Sequence, residues 1–168
     1  MHFIHCPACG QKLTARVLGD EGAVPWCDDC DRPYFDMFST CVICAVTNER
    51  REVALIQQDG VNGARYVCVA GYMKPGESAE DAARREIQEE IGQRAEGLRF
   101  MGSWPHRGGE QLMLGFRADV RRQDFALSSE VDHAAWIPYE QALSCIREGS
   151  IAWQLVKAAI EQDEEHTA

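Results

Sequence analysis

The chain has 168 residues, of which 45% are hydrophobic and 26% charged, enough for one full domain with a small module attached. Its formal net charge of −10 argues against strong nucleic-acid binding, because contacts with the phosphate backbone require a basic surface. No segment approaches the roughly 20 apolar residues of a membrane helix, and residues 1–10 lack the apolar stretch of a secretory signal, so we expect no membrane partner and a cytoplasmic location.

Two pairs of cysteines stand at the start of the chain, and each pair has the spacing C-x2-C. They are Cys6 with Cys9 and Cys27 with Cys30, separated by residues 10–26. Each pair can offer two thiolates from one tight turn, and two such turns complete a tetrahedral zinc site. The alternative is four unrelated core cysteines, which the paired spacing disfavours. A site closed by four thiolates is structural, since no position remains for water or substrate. We therefore predict a small zinc ribbon over residues 1–36.

The other cysteines are predicted to be ordinary core residues. Cys41 and Cys44 repeat the C-x2-C spacing, but they lie in an apolar, β-branched run. Side chains alternate between the faces of a strand, so positions three apart point in opposite directions and do not share a metal. Cys68 and Cys145 are also interpreted as small buried residues.

From about Phe38 onward the pattern alternates between strands and helices, which predicts an α/β domain. The polar tail from Asp163 to Ala168 is expected to fray. The predicted strands are Ser39–Thr47, Glu52–Gln57, Arg65–Ala70, Leu98–Trp104, Gln111–Val120 and Val131–Ile137, and the predicted helices are Ser78–Ile91, Tyr139–Glu148 and Ser150–Gln162.

The helix Ser78–Ile91 carries three acidic residues on one face. Glu86, Glu89 and Glu90 stand at positions i, i+3 and i+4, which brings their Cβ atoms within about 5–6 Å of one another. Carboxylates so placed repel each other unless a cation neutralises them. The trio is therefore either an exposed, solvated face or the ligand set of a hard cation such as magnesium or manganese.

The residues around this helix form a longer pattern. It reads Gly71-x5-Glu77-x7-Arg85-Glu86-Ile87-x-Glu89-Glu90-x-Gly92. This pattern resembles the Nudix box, and only its last position departs, where Gln93 replaces an apolar residue that we expect at the edge of the fold. The chain is thus identified as a member of the Nudix hydrolase superfamily, with the family domain over residues 37–168.

The resemblance implies a fold, a metal centre and a reaction. The fold is an α/β/α sandwich with a mixed sheet, preceded here by the ribbon. Arg85 pairs with Glu77 and orients the helix. Magnesium or manganese would bind to Glu86, Glu89 and Glu90, with the backbone carbonyl of Ala70 completing the shell. The reaction is attack of water on a pyrophosphate bond, helped by metals that neutralise the diphosphate.

Two residues are candidates for the general base that takes the proton from water. Glu89 is the first and Glu130, in the segment Ser128–Val131, is the second. In the resembling family the acid at the position of Glu130 contributes to metal or substrate binding. The alternative for Glu130 is an exposed acid of a loop.

A zinc ribbon directly before a Nudix domain resembles the NADH pyrophosphatase (NAD diphosphatase) branch. That branch splits NAD(H) into nicotinamide mononucleotide and AMP and implies a homodimer. By this resemblance Tyr72 stacks on a base, Tyr34 and Phe35 reach the active site of a partner chain, and Ala152 lines the nucleotide site. The branch signature SQPWPFPxS falls opposite residues 103–111, where Ser103 is kept but His106 occupies the tryptophan position.

Other functions remain open from the sequence. FAD pyrophosphatases also combine a zinc ribbon with this motif, and ADP-ribose or the NAD cap of RNA are further substrates. A non-catalytic Nudix domain that senses nucleotides is a different class of function. Such a sensor could lose its metal ligands, whereas Glu86, Glu89 and Glu90 are all present.

Overall fold

The N-terminal cysteines lie on a small antiparallel sheet in the computed structural model, which describes residues 3–58, 65–106 and 110–167. Its strands have the order β1-β2-β3 and surround a small core of Cys6, Cys27 and Tyr34. Strand β1 is exposed along its whole length, so no apolar alternation marks it in the sequence. The strands are β1 (Thr14–Val17), β2 (Ala23–Cys27) and β3 (Arg32–Pro33).

The main domain is built on a six-stranded mixed sheet. Strand order is β7-β8-β4-β5-β9, and β6 pairs with the first half of β4. Strands β4 and β8 run parallel, and the other pairings are antiparallel. The strands are β4 (Ser39–Asn48), β5 (Glu52–Gln57), β6 (Val69–Tyr72), β7 (Ala95–His106), β8 (Gln111–Val120) and β9 (His133–Pro138).

Helices cover both faces of this sheet. Helix α1 (Ala79–Ile91) packs on one face, and α2 (Tyr139–Cys145) and α3 (Ile151–Thr167) pack on the other. Alternation along β4 supplies both cores, with Cys44 on the α1 side and Cys41 on the α3 side. The predicted α/β/α sandwich is confirmed. Within the part of the chain that is described, no helix is both long and apolar enough to cross a membrane.

The strand that enters the Nudix-like motif differs from its prediction. It begins at Val69 rather than Arg65 and continues through Gly71 and Tyr72, which pair with β4. Gly71 therefore lies within a strand and does not begin a loop. Upstream of this strand, Tyr66 forms an isolated β-bridge to Ile146, and the backbone of Ile146 is extended rather than helical. That bridge explains why α2 ends at Cys145 rather than at Glu148.

Residues 163–167 of the C-terminal segment are helical, so the prediction of a frayed tail was wrong for them; Ala168 lies outside the described residues. Helix α3 continues to Thr167. Asp163 accepts a hydrogen bond from the Tyr139 hydroxyl at 2.7 Å and pairs with Nη1 of Arg117 at 2.5 Å. These partners lie in α2 and β8, so no local pattern in the tail predicts the contacts.

Replacing Asp163 by Ala should therefore destabilise the fold. The variant loses two charge-assisted contacts, although Arg117 keeps its ion pair with Asp119. We expect the free energy of unfolding to fall by about 1–3 kcal/mol. Burial acts to raise the pKa of Asp163, but hydrogen bonds from Tyr139 and Arg117 outweigh burial and lower this pKa. Its contribution is thus present at neutral pH and lost as pH falls below about 4.

Thermal melting at pH 7 and pH 3.5 measures this effect. Glu164→Ala is the matched control, because its contact with Arg51 is exposed and 3.6 Å long. We expect a fall in Tm of several degrees for Asp163→Ala at pH 7 and a smaller difference at pH 3.5. Equal Tm values for the two variants at pH 7 would show that the tail does not anchor the sandwich.

Candidate metal and active site

Helix α1 is capped at both ends. Ser78 Oγ accepts a hydrogen bond from the Asp81 backbone N–H at 3.1 Å and donates one to the Asp81 carboxylate at 2.6 Å. At the other end Gly92 adopts a left-handed conformation with φ of 69° and donates to the Gln88 carbonyl. Residues with a Cβ rarely adopt this conformation. Together the caps fix the position of the acidic face of α1 relative to strand β6.

Arg85 joins the loop before α1 to the helix. Its Nε and Nη2 atoms donate to the two carboxylate oxygens of Glu77 at 2.7 and 2.9 Å. The Lys74 backbone N–H also donates to Glu77 at 3.0 Å. Hydrogen bonds from Arg85 and from the Lys74 backbone lower the pKa of Glu77 to about 2, so this carboxylate is ionised at neutral pH. The bidentate pair holds the loop against the helix.

The same guanidinium contacts the acidic face itself. Nη1 of Arg85 donates to Glu86 at 2.6 Å and to Glu89 at 3.0 Å, and Nη2 donates to the Tyr72 carbonyl at 3.1 Å. The Arg85 guanidinium therefore contacts two of the three carboxylates on the acidic face of α1, as well as the end of strand β6. Glu89 stays half exposed and lies 3.8 Å from the Lys74 ammonium.

The glycine that begins the motif allows Glu86 to approach the strand. An ideal Cβ built on Gly71 would lie 2.0 Å from the Glu86 carboxyl carbon. No real side chain tolerates that distance, so any larger residue at this position moves the carboxylate. The requirement for glycine here comes from close approach and not from backbone conformation, because the φ of Gly71 is not positive.

Glu90 is the most buried acid of the box. Its side chain points into the fold with 4% exposure, and its Oε2 atom has no hydrogen-bond partner among the described residues. Burial raises the pKa of Glu90 to about 8, and the neighbouring Glu86 and Glu130 act in the same direction, against a hydrogen bond from the Ala70 backbone. A buried carboxylate among other acids is costly unless it is protonated or neutralised by a cation.

These residues fit a hard cation by their chemistry. All donors are carboxylate or carbonyl oxygens, one of them is orphaned, and Glu130 is exposed in the turn near Glu90. Glu86 is engaged by Arg85. Within the described ranges, the four N-terminal cysteines are the only group of three or more His, Cys, Asp or Glu residues whose ligand atoms all lie within 4.8 Å of one another. The box thus gathers the donors, and a bound cation would have to draw them closer.

The cysteine cluster already has the geometry of a metal site. The Sγ atoms of Cys6 and Cys30 are 3.8 Å apart, and those of Cys9 and Cys27 are 3.5 Å apart. A tetrahedral zinc ion with Zn–S bonds of about 2.3 Å has S–S edges of about 3.8 Å. The four predicted ligands therefore converge as a four-thiolate zinc site requires.

The two aromatic residues after the cluster lie in different environments. Tyr34 is buried in the ribbon, and its hydroxyl lies 3.0 Å from Cys6 Sγ. Phe35 is exposed. In the single chain, Tyr34 thus supports a cysteine of the cluster, and only Phe35 presents a ring to the surroundings.

Tyr72 lies beside a small pocket next to the box. Its hydroxyl accepts a hydrogen bond from Nε2 of Gln111 at 2.6 Å, and its ring is half exposed. Sequence reasoning assigned no role to Gln111, because the bond joins residues 39 positions apart. The only available signal was a polar residue directly before the apolar run of residues 112–116.

The remaining candidates lie around the same end of the sheet without lining this pocket. Ser103 and His106 are exposed on β7, an edge strand of the described sheet, and residues 107–109 of the signature segment lie outside the described residues. Ala152 is buried in the first turn of α3 and packs in the core on that face.

Gln93, the one departure from the motif, is a core residue and not an edge residue as predicted. Its side chain is only 1% exposed. Its amide nitrogen donates to the Asp124 carbonyl at 3.1 Å, which ties the end of α1 to the loop after β8. That carbonyl satisfies the buried amide nitrogen, whereas the Oε1 atom of Gln93 is buried with no hydrogen-bond partner among the described residues.

A larger cleft of about 910 Å³ lies at the opposite end of β4 and β8. Each of its four arginines pairs with an acid of the protein: Arg51 with Glu164, Arg117 with Asp163, Arg121 with Glu96 and Arg122 with Glu52. The cleft contains none of the box carboxylates, so volume alone does not locate the chemistry.

Comparison with known proteins agrees with this geometry. The family described as NUDIX domain matches residues 37–162. Curated proteins named NAD-capped RNA hydrolase NudC are similar over most of the chain. The protein from Haemophilus influenzae (strain PittGG) is 33% identical over 95% of this chain and 62% of its own length. That from Pseudomonas syringae pv. tomato is 31% identical over 91% of this chain and 54% of its own length. The chain thus spans less than two thirds of these relatives.

Solved structures show the same fold. A NUDIX hydrolase from Nitrosomonas europaea superposes with a TM-score of 0.74 at 20% identity, covering 97% of this chain and 93% of its own. The NUDIX domain of Shewanella oneidensis NrtR, complexed with ADP ribose, has a TM-score of 0.63 at 16% identity and covers 80% of this chain and 91% of its own.

Replacing Gly71 by Ala should weaken binding of divalent cations at the box. The added Cβ displaces the Glu86 carboxylate, and losses of about 10- to 100-fold in affinity are typical when the support of a metal ligand is disturbed. Titration with Mn²⁺ followed by electron paramagnetic resonance measures the change. Gly97→Ala is the control, since its Cβ meets only the end of the Asp119 side chain at 3.2 Å. Equal Mn²⁺ affinities for the two variants would show that Glu86 is not a ligand.

Proposed function

The chain belongs to the Nudix family, and we propose that it hydrolyses the pyrophosphate bond of NAD(H) to give nicotinamide mononucleotide and AMP. The observation that carries the metal-dependent hydrolysis in this proposal is the orphaned, buried carboxylate of Glu90 beside Glu86 and Glu130. A purely structural helix gains nothing from such a cluster, whereas a cation site requires it.

The catalytic cation in this proposal is magnesium or manganese. Glu86, Glu89, Glu90, Glu130 and the Ala70 carbonyl would hold it, since all of them offer the oxygen donors that these cations prefer. When bound, the cation would supply charge neutralisation for the diphosphate and would acidify water.

The protein's own side chains divide the remaining tasks. Arg85 is fully engaged by Glu77, Glu86 and Glu89, so it orients the helix. Glu89 is half exposed and can reach solvent, which suits a group that takes a proton from the attacking water. Glu130, exposed in its turn near Glu90, is the second candidate for this role.

The substrate assignment rests on the aromatic surroundings of the box. Tyr72 presents a half-exposed ring, and stacking on a base contributes roughly 1–3 kcal/mol. Phe35, Ser103, His106, Ala152 and, in a dimer, Tyr34 are the further substrate residues of this proposal. The names of the similar curated proteins favour a second candidate, the NAD cap of an RNA 5′ end.

We also propose a homodimer in a reducing compartment such as the cytoplasm. An exposed apolar stretch lies at the junction of the ribbon and the main domain and consists of Phe35, Met37 and Phe38. Exposed apolar patches are typical of subunit interfaces. Four cysteines that act as thiolate ligands require a compartment that keeps them reduced. The metal they bind in this proposal is structural zinc.

Glu89→Gln should remove most turnover of NAD(H), because the amide does not accept a proton. A positioned general base contributes about 100- to 10,000-fold, so a loss of that size is expected in kcat. Steady-state kinetics with magnesium or manganese measures it, on a panel of NAD, NADH, FAD, ADP-ribose and NAD-capped RNA. We expect the highest kcat/KM for a pyridine dinucleotide.

The control for this variant is Glu80→Gln, an equal charge change in the first turn of the same helix. Full activity of Glu89→Gln would contradict its role as base. A higher kcat/KM for FAD or ADP-ribose than for NAD(H) would contradict the substrate assignment and leave the metal centre standing.

Removing zinc should unfold the ribbon and spare the main domain. The core of the ribbon is small, so its order depends on the four thiolates. We expect metal analysis to find one zinc ion per chain in the wild type and none in Cys9→Ser, together with loss of protease protection within residues 3–36 of the variant. Cys145→Ser, on α2, serves as control. Retention of zinc and of protection in Cys9→Ser would rule out the ribbon site.

A further inference from the structure

Two cationic side chains lie beside Glu89 on the acidic face of α1, and the structure holds them differently. The Arg85 side chain is 18% exposed, and its guanidinium contacts three carboxylates within 3.0 Å. The Lys74 side chain is 61% exposed, and its ammonium lies 3.8 Å from Oε1 of Glu89. Arg85 is therefore fixed by several partners, whereas Lys74 faces solvent and can leave Glu89.

The backbone of Lys74 is held by a turn of residues 74–77. The Glu77 N–H donates to the Lys74 carbonyl at 3.1 Å, and Gly76 takes a left-handed φ of 82°. The Lys74 N–H in turn donates to the Glu77 carboxylate at 3.0 Å, and Arg85 holds that carboxylate. The base of the Lys74 side chain thus stays in place beside α1, and its freedom lies in the flexible four-carbon stem.

The ion pair between Lys74 and Glu89 is weak. At 3.8 Å the nitrogen and the oxygen are too far apart for a hydrogen bond, and exposed ion pairs contribute little to stability. An ammonium group binds phosphate oxygens as a point charge, without the fixed geometry of a guanidinium. Lys74 can therefore exchange Glu89 for another anion without disturbing the fold.

We propose that Lys74 has two partners in turn: it pairs with Glu89 in the free chain and binds the diphosphate of the substrate once Glu89 holds a cation. This role of Lys74 rests on the proposed hydrolysis of NAD(H) and adds a substrate-binding residue to it. In the free chain, Lys74 competes with a divalent cation for Glu89 and so weakens cation binding. With substrate present, the released ammonium strengthens binding of the diphosphate. The two effects have opposite signs, which a purely structural lysine would not produce.

The first effect is tested by titrating the protein with Mn²⁺ in the absence of substrate, followed by electron paramagnetic resonance. We expect Lys74→Gln to bind Mn²⁺ about 2- to 5-fold more tightly than the wild type, because the competing charge is gone. Lys74→Arg keeps the charge and should keep the wild-type affinity. Lys157→Gln is the matched control, since the Lys157 ammonium also lies 3.8 Å from an exposed acid, Glu161, but on α3 across the sheet.

The second effect is tested by steady-state kinetics on NAD and NADH at saturating Mn²⁺. We expect KM to rise about 2- to 10-fold in Lys74→Gln, the range for one polar contact, while kcat stays within about twofold. A contact made equally with the bound substrate and with the transition state changes KM and not kcat. Lys74→Arg should restore most of the lost affinity, and Lys157→Gln should keep the wild-type KM.

The outcomes separate the role of Lys74 from the proposed function. A Mn²⁺ affinity of Lys74→Gln no higher than that of Lys157→Gln, or an unaltered KM, overturns the exchange of partners and leaves the proposed hydrolysis standing. A fall in kcat at an unaltered KM would do the same. Failure of the wild type to hydrolyse NAD or NADH overturns the proposed function and with it the binding of substrate by Lys74. The Mn²⁺ titration needs no substrate and would still decide whether Lys74 competes for Glu89.

Discussion

The site depends on an imbalance of charge. One guanidinium, that of Arg85, contacts several carboxylates. Arg85 contacts Glu77, Glu86 and Glu89 within 3.0 Å, while Glu90 keeps an oxygen without a partner among the described residues. The helix is capped and packed so that Glu86 and Glu90 stay buried, whereas Glu89 is half exposed. The fold therefore concentrates acidic side chains at one place, and a divalent cation is the simplest group that balances their charge.

Two neighbouring residues of one strand connect the metal site with the pocket. Gly71 faces α1 and admits the Glu86 carboxylate, whereas Tyr72 faces the other side and forms a wall of the pocket. This follows from the alternation of side chains along a strand. Pairing of β6 with β4 fixes the register of both residues at once. A dinucleotide bound as proposed would have its diphosphate near the carboxylates and a ring near Tyr72.

Features set by local spacing could be read from the sequence. The acidic face of α1, the two cysteine pairs and the placement of Cys41 and Cys44 on opposite faces of β4 all depend on residues a few positions apart. The NUDIX family assignment followed from the same local motif.

Features that depend on distant contacts could not be read. Gln111 bonds Tyr72 across β4, Asp163 anchors the tail through α2 and β8, and Gln93 is buried because a distant carbonyl meets its amide. The ribbon strands were missed for another reason. Their exposed residues show no alternation, and the cysteine cluster rather than an apolar face holds them together.

The most direct test of the metal centre is the melting temperature of Glu90→Gln with and without Mn²⁺, in zinc-loaded protein. If Glu90 is a buried acid kept for a cation, replacing it with a neutral amide removes the cost of burying the carboxylate or of protonating it at neutral pH. The replacement should therefore raise Tm in the absence of Mn²⁺ and abolish the rise that Mn²⁺ gives the wild type. A variant that melts lower than wild type without Mn²⁺ and still gains stability from Mn²⁺ would contradict the account.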